Sequence, residues 1–425
     1  MAGCLWTPPS SLPLGDAAVV ALAGVEPSAW WKSFRDPELS QLVDTALAGN
    51  LEIKQAAARI RQAEASARKS GALLFPSVDG QARMGRDRSG NERARSSLLG
   101  ALFRWEIDLW GRLRSVRAAA LEETLASRAD ALGVRVLLTA AVAEAYFTAI
   151  EHAQKRALLE RQIKTNLTLL ELTQLRFGQG AASMVDVLQQ REQLTSTQAR
   201  LPLTEASLES ARYRLAVLLG RSSSNEERVA WAKKPFPKLS QASAVSTEAV
   251  LKRPDMIARQ HRIFALDHQV GRAIAERMPT LTLSASSALT DSSNFDGLVS
   301  NAVAELVAPL VDGGERKAEV SLRRAALEEG LHAYGQAYLE AAEELKGALI
   351  HEEKQREHLR LLRSELATAK RLLNETRNRY SQGLTDYLPV LAAVDRVQEL
   401  ERSLITNEHL LLSHRIQRYR ALGGH

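Results

Sequence analysis

Few side chains in this sequence have the types and spacing to do chemistry together. Nine histidines are scattered through 425 residues. His351 and His358 come nearest to a reactive group: they lie seven apart among Glu352, Glu353 and Glu357, residue types that can ligate metal or move protons. The spacing fits neither use, because a helical zinc site sets two histidines four apart, as in His-Glu-x-x-His. Such a run reads as a solvated helix face. Gly313-Gly314 lacks the lysine pattern of a phosphate-binding loop. No catalytic residue, metal site or cofactor is expected, and the chain does not read as an enzyme. One residue has a defined chemical use. Cys4 is the single cysteine, so no internal disulfide can form. It closes Met1-Ala2-Gly3-Cys4, and Ala-Gly-Cys is the end of a lipobox, where cleavage before the cysteine frees it to carry a diacylglycerol. A lipid anchor is expected there.

The other conspicuous residues come in pairs. Offset by 203, Pro76 falls on Pro279, Gly111 on Gly314, Arg176 on Arg379, Gly180 on Gly383 and Gly220 on Gly423. The chain is two copies of one unit, far longer than the repeats of about 20–50 residues that build solenoids. A duplicated unit of this length suggests a pseudo-symmetric wall, ring or channel. The boundaries read as an N-terminal extended arm over 1–36, a first repeat over 37–220, a linker over 221–244 and a second repeat over 245–425. The net charge is +6. Arginines alternate with glutamates along helical faces, as in Arg356-Glu357, so no nucleic-acid partner is expected.

These paired residues need elements to hold them. A helix starts at Asp36-Pro37 and is expected to run to about Ser70, with Leu39, Leu42, Val43, Ala46 and Leu47 on one face. After Pro76 the period changes to two. Val78, Gly80, Ala82 and Met84 alternate with polar neighbours, a loop spans Asp87 to Arg95, and Ala101 to Leu109 alternate again. The second copy repeats this after Pro279, with a loop at Asp291 to Gly297 and a less regular stretch from Val303 to Val311. Trp105 and Trp110 would close the second strand as an aromatic girdle. From Gly111 to Arg176, and from Gly314 to Arg379, nothing breaks a helix strongly. Each long helix ends in a glycine turn, and Gly180 and Gly383 suit the left-handed cap. Return helices follow, with Val187, Leu194, Leu201, Leu208 and Leu215 seven apart and Pro202 expected to kink the first. Another helix should span about Ser246 to Arg277. No run of 18 apolar residues exists, so no spanning helix is expected. Four short strands with one apolar and one polar face cannot close a barrel, and an open sheet edge in lipid is too costly. The chain should therefore oligomerise: two copies give eight strands, three give twelve.

At Trp105-Glu106-Ile107-Asp108-Leu109-Trp110-Gly111-Arg112, Arg253-Pro254-Asp255, Asp312-Gly313-Gly314 and Arg379-Tyr380-Ser381-Gln382-Gly383 the chain resembles the TolC-like outer-membrane factors, in particular the nodulation T type lipoproteins. The resemblance covers about residues 30–424. It implies a mainly α fold with a small transmembrane β part: a trimeric β-barrel of four strands per chain and twelve in total, continued by a long periplasmic α-barrel. It implies a homotrimer in the outer membrane of a Gram-negative bacterium, acting as a passive exit duct. A periplasmic adaptor and an inner-membrane pump would be its partners, first of all a pump of the resistance–nodulation–division type that delivers drugs or other small toxic solutes. Metal-ion efflux and type I protein secretion stay open, and a soluble coiled-coil scaffold is the rival from another class.

The family closes its periplasmic tip with acidic rings and hydrogen bonds among Tyr, Arg and Asp. Asp186 and Tyr380 match such positions, whereas Pro389 and Ala392 stand where members often carry aspartate. The expected tip gate uses Asp186, Asp386 and Tyr380, with Arg176 and Arg379 as partners, because repetition around a narrow ring concentrates like charge. Gly180 and Gly383 are the expected adaptor-docking turns.

Overall fold

A computed structural model of the chain describes residues 29–89, 92–221, 231, 234–239, 246–291 and 297–424. Cys4, the rest of the arm to residue 28 and most of the 221–244 linker lie outside the described residues. A 3-10 turn, Trp30–Phe34, leads to α1 (Pro37–Gly49), α2 (Leu51–Ala72), β1 (Ser77–Ser89), β2 (Glu92–Ile107), α3 (Arg112–Gly178) and α4 (Met184–Leu218). A second 3-10 turn, Thr247–Lys252, leads to α5 (Pro254–Ala275), β3 (Thr280–Asp291), β4 (Gly297–Val307), α6 (Glu315–Ser381) and α7 (Tyr387–Ala421). The starts of α2, α3 and α4 at 51, 112 and 184 recur at 254, 315 and 387, a shift of 203 each time. Both long helices have 67 residues and both return helices 35.

Two helix boundaries differ from expectation. Asp36 starts α1 as foreseen, its carboxylate accepting from Glu38 N and Leu39 N. The helix then stops at Gly49, and Asn50 restarts it, accepting from Glu52 N at 2.7 Å and donating to Leu218 O at 2.9 Å. Gly49 is needed here because a Cβ would stand 2.9 Å from Leu219 O. The second copy breaks at the matching place: Arg253 is extended before Pro254, which disfavours helix in its predecessor. Arg253 donates to Ala421 O, the counterpart of Leu218 O. Both breaks thus hold the last carbonyls of a return helix. Pro202 sits exposed inside α4 without ending it.

The chain forms two compact units. One, residues 55–131 with 254–339, carries the sheet. Its order is β1-β2-β3-β4, every neighbour antiparallel, so the two copies join at β2–β3. The first two strands overrun the loop expected at Asp87 to Arg95, whereas most of the loop expected at Asp291 to Gly297 lies outside the described residues. Arg86 pairs with Arg95 and Ser89 with Glu92, because ladder bonds join backbones whatever the side chains are. β4 is a regular strand paired from Gly297 to Val307. The register puts Val78, Phe103, Ala285 and Ala302 in one row, and Leu99, Leu289 and Leu298 in another, on the same face. The opposite face carries Asp79, Gln81, Arg104, Glu106 and Glu305. Val78, Met84 and Leu298 are exposed, so no described residue covers this apolar face. Trp105 donates to Leu74 O at 3.1 Å and Trp110 to Pro279 O at 2.7 Å, tying the strand ends to the linking segments.

The second unit holds the rest of the described chain. Trp30, Trp31 and Phe34 pack into a core with Tyr146, Phe147, Leu208 and Leu412, and Trp30 stacks on Tyr419 at 5.1 Å. α3 has one window apolar enough to cross a membrane, with a mean hydropathy of 1.4, but 61% of it is buried inside the protein. Val142, Tyr146, Phe147 and Ile150 are among its core-facing residues. Lys234 pins its part of the linker here, donating to Asp36 at 2.9 Å, to Glu38 at 2.6 Å and to the Tyr146 hydroxyl.

Candidate functional site

The tips of the two helical hairpins hold all but one of the singled-out residues. Each long helix ends in the same cap. Ala181 N donates to Arg176 O at 2.8 Å and Gly180 N to Phe177 O at 2.9 Å; Leu384 N donates to Arg379 O and Gly383 N to Tyr380 O. This is a Schellman motif, and it requires the positive φ of +71° at Gly180 and +74° at Gly383. Around the first turn Leu175, Phe177, Met184, Val185 and Leu188 are exposed; around the second, Leu384 and Leu388.

Tyr380 and Arg176 come together, and the charge of Asp186 reaches Tyr380. The Arg176 guanidinium lies 4.3 Å from the centre of the Tyr380 ring, a cation–π contact. Tyr380 also meets the ring of Tyr387 at 5.5 Å. The Tyr380 hydroxyl and Nε of Arg176 are buried with no hydrogen-bond partner among the described residues. Burial pushes the Tyr380 phenol above its usual range, Arg176 opposes this, and the charge of Asp186 adds to it. Asp186 itself is held by a capping box: Ser183 Oγ accepts from Asp186 N at 3.2 Å, and Asp186 Oδ2 accepts from Ser183 N at 2.9 Å. Asp386 and Arg379 stand apart. Asp386 occupies the N-cap of α7 without a side-chain cap bond, and Arg379 reaches Glu375 at 3.9 Å.

Sequence reasoning missed the interior of this site. Tyr387 donates to Gln190 Oε1, and Gln190 donates to Asn166 O at 3.0 Å. Asn166 and Gln398 exchange two amide bonds, at 2.8 and 3.3 Å, and Asn166 also donates to Thr197 at 3.0 Å. Gln162 continues the chain to Gln398 O at 3.1 Å, and Arg402 donates to Gln162 at 2.8 Å. A buried polar ladder therefore joins α3, α4 and α7. The available signal was Gln190 and Thr197, each three residues after an apolar heptad position, where a seam residue belongs. Burial also pushes the Tyr387 phenol up, against a hydrogen bond with Thr173. Among the described residues no group of three or more His, Cys, Asp or Glu could hold a metal ion.

The sequence pattern of the family described as "Outer membrane efflux protein" matches the chain twice, at residues 42–221 and 245–424. The pyoverdine export outer membrane protein OpmQ of Pseudomonas putida is 30% identical over 418 residues, 93% of this chain and 87% of that protein. Nodulation protein T of Rhizobium leguminosarum bv. trifolii is 24% identical over 426 residues, 95% of this chain and 91% of that protein. The solved outer-membrane channel OprN superposes with a TM-score of 0.86 at 27% identity, covering 97% of this chain and 96% of its own.

Proposed function

The chain belongs to the outer membrane efflux protein family and is an outer-membrane efflux duct reaching into the periplasm; from that premise we propose that it works as a homotrimer serving a pump of the resistance–nodulation–division type. Three copies would supply twelve strands. The pump would deliver drugs or other small toxic solutes, through a periplasmic adaptor seated on the Gly180 and Gly383 turns. Cys4 would carry a lipid anchor. Asp186 and Tyr380, with Arg176, would form the closed tip, and Asp386 and Arg379 would line its mouth.

One observation carries the reading: a four-stranded sheet with one apolar face, neither edge of which is paired among the described residues. Such a sheet is stable in lipid only when copies close it. Native protein extracted from outer membranes should run near three times 46.7 kDa and fall to 46.7 kDa on heating. Deletion of the protein should raise drug susceptibility. A monomer that stays out of the membrane fraction would overturn the reading.

A further inference from the structure

Where the sheet meets its helices, α2 and the first turns of α3 enclose an open groove of about 630 Å³. Its walls carry Arg68, Arg117 and Arg128, and its apolar lining includes Ala67, Leu121 and Phe75. Glu64 is the one acid lining it, and that carboxylate is taken by Arg128 at 2.9 Å. Arg68 and Arg117 are exposed and in excess of acidic partners in the groove. Arg117 lies along Gly71, where a Cβ would stand 3.5 Å from its Cδ and Nε, so the missing side chain gives the arginine a seat on α2. Phe75, Leu73 and Leu121 are exposed beside these charges, at 69%, 53% and 45%.

The depth of the groove points to its ligand. Arg68 is one turn from the end of α2, Phe75 lies two residues before β1, and Arg117 is five residues into α3. If the sheet spans the hydrocarbon, as the duct reading has it and on which this inference rests, these residues lie at headgroup level on the periplasmic side. Exposed aromatic and aliphatic side chains next to guanidinium groups suit a ligand with an anionic head and an apolar tail. Guanidinium forks match phosphate oxygens in pairs. The repeat did not produce this groove by symmetry. The positions matching Arg68, Arg117 and Arg128 are Gly271, Val320 and Leu331, so the second copy has no such charges.

We propose that this groove binds one anionic phospholipid of the periplasm-facing leaflet, its phosphodiester held by Arg68 and Arg117 and its acyl chains laid along Leu73 and Phe75 toward the sheet. The lipid would fix the height of α2 and α3 against the membrane.

Native mass spectrometry of the detergent-extracted assembly, titrated with dioleoyl phosphatidylglycerol, dioleoyl phosphatidylcholine or inorganic phosphate, tests this. We expect one phosphatidylglycerol per chain, retained in preference to phosphatidylcholine. Arg68→Gln and Arg117→Gln should each weaken phosphatidylglycerol binding about 5-fold, the size of one basic group near a charged surface. Phe75→Ser with Leu73→Ser should weaken both lipids alike. Arg59→Gln with Arg61→Gln, exposed changes on the same helix, should leave retention unchanged. Equal retention by the Arg68→Gln/Arg117→Gln variant would overturn the proposal. So would displacement of the lipid by equimolar inorganic phosphate, which would mark a simple anion site. Loss of the assembly with lipid per chain unchanged would also overturn it, assigning the arginines to a neighbouring copy. Failure of the protein to enter the membrane would instead overturn the duct reading.

Discussion

The two hairpins share their lengths, their caps and their glycines, yet their interiors are of opposite character. In the first, Asn166, Gln190 and Thr197 are buried and hydrogen-bonded. The matching positions in the second are Ala369, Ala393 and Leu400, part of an apolar seam with Leu362, Leu366, Leu373 and Val397. At the tips the polarity is exchanged. Phe177 and Met184 of the first hairpin correspond to Tyr380 and Tyr387 of the second; Tyr380 brings its ring face to the first hairpin's Arg176, and Tyr387 brings its hydroxyl to Gln190. Capping differs as well: Ser183 and Asp186 form a capping box, whereas their counterparts Asp386 and Pro389 do not. One hairpin is thus closed by its own hydrophobic seam. The other is completed by groups from α7, through Gln398 and Tyr387. Duplication supplied two identical scaffolds, and divergence made each the polar complement of the other.

Changes at the shared turns should have the largest effect. Gly383→Val places a β-branched residue at positive φ, a strain of roughly 1–2 kcal/mol from handedness alone, on a surface proposed for docking. Trimers should stay intact by native mass while drug resistance falls to that of the deletion strain; full resistance would remove the docking role. Gly180→Val, tested beside it, shows whether both turns serve equally.

Next comes the polar ladder. Asn166→Ala removes both amide bonds to Gln398 and leaves that buried side chain unpaired, at a cost of roughly 1–3 kcal/mol per unsatisfied group. Ala393→Gly, a similar trimming in the apolar seam, should cost about 1 kcal/mol. Adding Gln398→Leu to Asn166→Ala should recover part of the loss, and thermal unfolding of the set reports the coupling. Strict additivity would mean that the ladder does not act as a unit.

Capping should separate the hairpins by less. Ser183→Ala is expected to cost about 1 kcal/mol, and Asp386→Ala only a few tenths, since the Asp386 side chain makes no cap bond. Equal losses in thermal unfolding would contradict the asymmetry. The Asp186→Ala/Asp386→Ala double variant should also lower cation selectivity in single-channel recordings, the direct check of the proposed gate.

The smallest effect near neutral pH concerns alkali. The phenols of Tyr380 and Tyr387 titrate above their ordinary 10.0 when folded. Native protein therefore holds those protons longer than the unfolded chain does. Their contribution is intact below about pH 10 and is lost as pH rises past it. The second hairpin should become cleavable by an alkaline-tolerant protease above pH 10 before the first does. Tyr380→Phe with Tyr387→Phe should remove that difference.

Much of this architecture was legible in the sequence, because the rules behind it are local. A left-handed cap admits glycine at Gly180 and Gly383, and Pro76 and Pro279 mark the change from period 3.6 to period 2. The 203-residue offset needed no structure at all. The first two strands were read too short because polar residues from Asp87 to Arg95 suggested a loop, while pairing there is decided by backbone bonds to a partner strand. The helix break at Asn50 was missed because its cause is 168 residues away, in the carbonyl of Leu218.

The sequence by itself determined the duplicated plan, the reach of the two long helices, the turn glycines and the apolar face of the sheet, since each depends on neighbours within a turn or a pleat. Only the tertiary structure decided which polar residues are buried together. Asn166, Gln190 and Gln398 look like surface residues until α7 packs against α3 and α4. Arg68 and Arg117 look like ordinary charges until α2 and α3 set them on one groove. Burying a polar group is favourable only when a partner is brought to it, and that partner comes from a distant part of the chain.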